Sequence, residues 1–114
     1  MAIRLKQEGE HDFVVLERAD DVGGTWRDNT YPGCACDVPS NLYSFSFAPN
    51  PNWSRAFSTQ PEIQAYLRDT AQRFGILPQI VFNAPVTGAT WSEDDSEWIV
   101  ETDQGTVRSR ILVS

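Results

Sequence analysis

Phe13-Val14-Val15-Leu16-Glu17-Arg18 is a continuous apolar run, rich in β-branched residues, that ends abruptly in charge. Such a run reads as a strand buried on both faces of a parallel sheet. Just upstream, Ala2, Ile3 and Leu5 stand among the polar helix formers Arg4, Lys6, Gln7 and Glu8, and Gly9 is a natural terminator. Residues 2–8 are therefore expected to be the end of a helix, with no capping residue or proline ahead to start it. A helix followed by a buried strand is the second half of a βαβ unit, whose first strand the sequence does not include.

Downstream, residues 19–57 combine Gly23, Gly24, Pro32, Gly33, Pro39, Pro49 and Pro51 with Trp26, Tyr31, Tyr43, Phe45, Phe47, Trp53 and Phe57. Glycine and proline at that density exclude long regular elements. The aromatic residues exclude a flexible linker, which has nothing to bury them against. Two readings stand side by side: an ordered binding loop, or a satellite core packed over the domain.

Thr59-Gln60-Pro61-Glu62 has the form of a capping box with proline near the first turn. Ile63, Tyr66, Leu67, Thr70, Ala71 and Phe74 then recur at spacings of three and four, and Gly75 sits where a left-handed cap belongs. The pattern predicts a helix over residues 61–74. A short strand, Ile80-Val81-Phe82, follows. Val86 to Ser92, Glu97 to Thr102 and Thr106 to Val113 read as an antiparallel meander, turned at Glu93-Asp94-Asp95-Ser96 and Asp103-Gln104-Gly105. The expected fold is one α/β domain over residues 1–114: an incomplete parallel sheet with an antiparallel β-meander.

Composition narrows the function. With 40% hydrophobic and 22% charged residues, the chain is ordinary for a soluble domain. No apolar run approaches the ~20 residues of a membrane span, and the N-terminus turns polar too early for a secretory signal. Nine Lys and Arg against sixteen Asp and Glu give a net charge of −7, which argues against nucleic-acid binding. A phosphate-bearing cofactor is still allowed, because backbone N–H groups can hold a pyrophosphate. Cys34 and Cys36 lack the partners of a zinc site, since His11 is the only histidine, and are expected to be reduced thiols of a cytoplasmic protein.

Two places carry chemistry. An acidic residue closing the second strand of a dinucleotide fold hydrogen-bonds the adenosine ribose about 20 residues after a glycine-rich loop. Glu17 is in that position, although a strand-ending charge also serves simply by reaching solvent. In Asp21-Val22-Gly23-Gly24-Thr25-Trp26, two glycines allow close backbone approach and the tryptophan adds a flat wall. The same residues would equally make a plain glycine turn with a core tryptophan.

The order Leu16-Glu17-Arg18, Asp21 to Trp26, Tyr31-Pro32-Gly33-Cys34-Ala35-Cys36-Asp37 and then an aromatic stretch resembles flavin-containing monooxygenases of the Baeyer–Villiger type. Residues 58–76 and the Val86-Thr87-Gly88-Ala89-Thr90-Trp91 strand are also similar, so the likeness covers essentially the whole chain. The resemblance implies a partial Rossmann-like FAD-binding domain. It implies that Glu17, with Arg18 beside it, meets the adenosine ribose. Gly24, Thr25 and Trp26 would line FAD, Tyr43 would be a further flavin-side contact, and the Val86 backbone would meet the adenine edge. Asp37 would lie near the flavin ring and help to position a catalytic arginine. Cys36 matches a family position without a catalytic role.

A complete enzyme of this type uses NADPH and FAD to insert oxygen from O2 beside a ketone carbonyl, or to oxidise sulfur or nitrogen in a small molecule. The family's GxGxxG loop, its NADPH-binding domain and its active-site arginine lie outside these residues. The 114 residues alone are therefore expected to be inactive and to bind FAD weakly. The alternative is a non-catalytic remnant of the fold acting as a structural or interaction module.

Overall fold

A computed structural model describes residues 1–114, which form two units: residues 1–11 with 21–78, and residues 12–20 with 79–114. In the first unit, helix α1 (Ala2–Gln7) precedes a one-turn helix α2 (Thr25–Asp28) and the long helix α3 (Gln60–Arg73).

Around α3 the unit builds its core, with Ile63 fully buried and Thr70 and Ala71 nearly so. The other apolar-face positions collect the aromatic loop. Phe45 and Trp53 pack on Tyr66, Phe47 packs edge-on to Phe74, and Phe45 and Phe47 stack on each other. The Tyr66 hydroxyl donates to Ala48 O (2.8 Å) and accepts from Phe45 N (2.8 Å), so one side chain satisfies two loop backbone groups. This part of the loop is a satellite core. α1 adds buried Ile3, the Arg4 guanidinium over the Phe47 ring and a Lys6 Nζ bond to Gly75 O.

α3 ends as its glycine predicts. Gly75, at φ +64°, donates to Gln72 O while Ile76 donates to Ala71 O, the paired bonds of a Schellman motif. Its start differs from expectation. Thr59 occupies the N-cap but its side chain makes no capping bond. Glu62 instead takes the Ser54 N–H (2.8 Å) and hydroxyl (3.0 Å), so a competitor eight residues upstream prevents the capping box.

In the second unit, β1 (Val15–Leu16) pairs in parallel with β2 (Ile80–Val81). Strands β3 (Val86–Ser92), β4 (Glu97–Thr102) and β5 (Gly105–Ser109) form the expected antiparallel meander. Trp91 faces Trp98 across β3 and β4, and Val100 is buried. Gln104 Nε2 bonds to Phe82 O and Asn83 O, tying the second hairpin to the segment after β2.

Two strand expectations need correction. β1 is half-buried rather than buried on both faces, and Val14 just ahead of it is 42% exposed, because β2 is its one paired neighbour here. β5 stops at Ser109 instead of Val113. Ser109 already faces Trp98 near the start of β4, and its hydroxyl engages both the N–H and the C=O of Ile111. That local bonding diverts the backbone from the ladder where partner residues run out. No helix is long and apolar enough to cross a membrane.

Candidate functional site

In the second unit, the pairing of β1 with β2 fixes Glu17. Its N–H donates to Val81 O, and its carbonyl accepts from Ala84 N. The half-buried carboxylate accepts the Ala19 N–H at 2.9 Å, which holds it at the strand's end. Arg18 beside it is exposed. Val86 opens β3 with its side chain 51% exposed, and a register shift separates it from Gly88.

In the first unit, the Asp21–Trp26 segment folds as a tight turn against α3. Gly23 has φ +114° and Gly24 φ +49°. Their surroundings differ. A Cβ on Gly23 would lie 1.9 Å from Gln64 Oε1, whereas one on Gly24 would meet nothing within 4 Å. Gly23 is thus required by packing, and Gly24 leaves main chain open to approach.

Trp26 and Tyr43, seventeen residues apart, meet edge to face at 5.3 Å, and the indole N–H donates to the Tyr43 hydroxyl at 2.9 Å. Trp26→Phe should lose the second ring of the indole together with the bond, and of the total loss in urea denaturation about 1 kcal/mol belongs to the bond. A double-mutant cycle with Tyr43→Phe should recover that energy as coupling; zero coupling would show the bond contributes nothing.

Tyr31-Pro32-Gly33-Cys34 closes a β-turn, with Cys34 N bonded to Tyr31 O and Gly33 at φ +84°, the residue pattern of a type II turn. The exposed Tyr31 phenol is raised above its ordinary pKa by the adjacent Cys34 side chain. Cys34 and Cys36 are buried free thiols, Cys36 Sγ lying 3.2 Å from Val38 O. The Cys34–Cys36 backbone bridges to residues 58–60 through Cys36 N to Ser58 O and Gln60 N to Cys34 O. Asp37, the next residue, is exposed.

Sequence reading missed the residues that organise this turn. Gln60, Gln64 and Arg68 lie one helical turn apart on α3 and bond, in order, to Trp26 O, to Val22 O and Asp21, and to Asp21 Oδ2. The signal was available as polar residues at i, i+4 and i+8 beside the apolar face. The open main chain at Gly24, the exposed Thr25 and the Trp26–Tyr43 pair fit a planar ring system.

Residues 1–68 match the family described as NAD(P)-binding Rossmann-like domain. A Baeyer-Villiger monooxygenase of Streptomyces coelicolor is 57% identical over 113 residues, covering 99% of this chain and 22% of that protein. An oxidised steroid monooxygenase bound to NADP superposes with a TM-score of 0.88 at 42% identity, over 96% of this chain and 22% of the other. OTEMO, in complex with FAD and NADP, gives 0.86 at 34% identity, over 94% and 21%. The chain thus spans about a fifth of the length of the relatives it matches. The likeness to Baeyer–Villiger-type monooxygenases read from the motifs is borne out, as is the mixed α/β fold.

Proposed function

This chain belongs to the NAD(P)-binding Rossmann-like domain family, and on that premise we propose that it forms part of the FAD-binding domain of a Baeyer–Villiger-type monooxygenase. The observation that carries the reading is the Trp26–Tyr43 pair in the same unit as the open Gly24 backbone. FAD, when bound, supplies the redox chemistry by which NADPH and O2 oxidise a ketone or a sulfur or nitrogen centre. The chain's own residues bind and orient it. In one unit Glu17 accepts from ribose hydroxyls, with Arg18 beside it, and the Val86 backbone meets the adenine edge. In the other, Gly24 and Thr25 pass along the flavin, Trp26 and Tyr43 exclude water from it, and Asp37 orients a cation near the reacting atoms.

The 114 residues contain no GxGxxG and do not turn over substrate by themselves. They bind FAD weakly or not at all. The test is an NMR titration of the chain. FMN should shift the Gly24, Thr25 and Trp26 indole signals, AMP those of Glu17 to Ala19 and Val86, and FAD both sets. No response to FAD at either set would favour the non-catalytic remnant. FAD that survives gel filtration at full stoichiometry would refute the need for the glycine-rich loop.

A further inference from the structure

We infer that Asp21, Gln64 and Arg68 form a clamp that positions the Gly23–Gly24 turn for the cofactor, which rests on the FAD reading above. Gln64 is only 6% exposed, on a helix where an apolar side chain would pack at that depth without polar cost. Its Nε2 reaches Val22 O at 2.7 Å and Asp21 Oδ2 at 3.3 Å, but its buried Oε1 has no donor. Leaving a buried acceptor unmet is unfavourable. What the carboxamide gains is its two bonds to the turn, while Oε1 occupies the space that any Cβ at Gly23 would need.

Asp21 is the other half of the clamp. Oδ1 accepts its neighbour's Val22 N–H at 2.8 Å, and Oδ2 accepts from both Gln64 and Arg68. The Asp21 carbonyl accepts from the Arg27 guanidinium, beyond the glycines. The turn is therefore held by α3 at Asp21 and Val22, and Arg27 of α2 holds the same Asp21 from beyond the glycines. A Cβ at Gly24 would meet nothing within 4 Å. Asp21, Gln64 and Arg68 are positioning residues, acting on the cofactor through the turn they restrain.

The experiment measures backbone order and FMN response in the full chain and in Gln64→Leu. In the wild type, Val22 to Thr25 should have order parameters near those of rigid backbone, about 0.85. Gln64→Leu should drop them below about 0.6 while Thr70 and Ala71 keep theirs, and should raise the FMN concentration for half-maximal shift about fivefold. Asp21→Asn keeps the side chain's size but turns one carboxylate oxygen into a donor facing groups that already donate, and should lower the same order parameters. No change there would mean that packing, not hydrogen bonding, holds the turn, and would overturn the inference.

An unchanged FMN response in Gln64→Leu overturns it as well. Should Gln64→Leu fail to fold, Arg68→Ala changes a largely exposed side chain and must weaken the FMN response about twofold; no change there refutes the clamp. If FMN leaves the wild type unmoved, the FAD reading fails separately. The clamp is then upheld or overturned by the order parameters alone.

Discussion

Gly23→Ala should destabilise the chain by about 3–5 kcal/mol, the largest effect expected of any single methyl group added here. Two costs combine. At φ +114° an L side chain is strained, which amounts to about 1–3 kcal/mol. The new Cβ would also fall 1.9 Å from Gln64 Oε1, so Gln64 must swing away and give up its bonds to Val22 and Asp21. Each lost bond is worth about 1 kcal/mol, more where a buried partner is left unmet. Against a typical total of about 5–15 kcal/mol, such a loss is large. Gly24→Ala makes the contrast. Its φ of +49° with ψ −115° also strains an L side chain, but its surroundings are open, so the backbone term of about 1–3 kcal/mol is expected without the steric one. Urea midpoints of the two variants test the difference. Adding Gln64→Ala to Gly23→Ala should remove the steric part and make the double variant more stable than the sum of the singles. Equal losses for the two glycine variants would refute the assignment of Gly23 to packing and Gly24 to an open face.

That contrast marks where sequence reading succeeds and where it stops. Local chemistry was legible. Gly75 ended α3 because a left-handed cap depends on that residue, and the acidic and glycine turns of the meander fell between alternating segments. Glu17 was legible as a strand end because a charge follows four apolar residues. Features that depend on a distant partner were not. Thr59 and Glu62 had the right types for a capping box, and Ser54 took Glu62 away. Thr106 to Val113 had strand composition throughout, but β4 offered pairing only as far as Ser109. Trp26 and Tyr43 were both flagged, yet nothing in their spacing announced the bond between them. Gln64 was hidden for a different reason. An amphipathic helix is searched for its apolar residues, and a buried carboxamide serving a neighbouring turn falls outside that search.

Ser40→Ala should cost about 2–4 kcal/mol, more than its partner Ser58→Ala, although the two hydroxyls lie together in the same buried place. The asymmetry follows from who donates to whom. Ser40 Oγ donates to Arg55 O at 2.8 Å and accepts from both the Ser58 N–H (2.8 Å) and the Ser58 hydroxyl (2.7 Å). Truncating Ser40 therefore orphans a carbonyl, a buried backbone N–H and a hydroxyl together. Truncating Ser58 removes one bond and leaves Ser40 joined to Arg55 and to the Ser58 backbone, so about 1 kcal/mol is expected. The loss at Ser40 also reaches the candidate site. The Ser40 backbone accepts from Tyr43 N and donates to Ala56 O, so this residue anchors the segment that carries Tyr43 to the one that leads into α3. Ser40→Ala should broaden the Trp26 indole N–H resonance, because Tyr43 is the acceptor of that proton, whereas Ser58→Ala should leave it sharp. Equal stability losses in the two serine variants, or an indole signal indifferent to both, would show that this hydroxyl pair fills space without organising the loop.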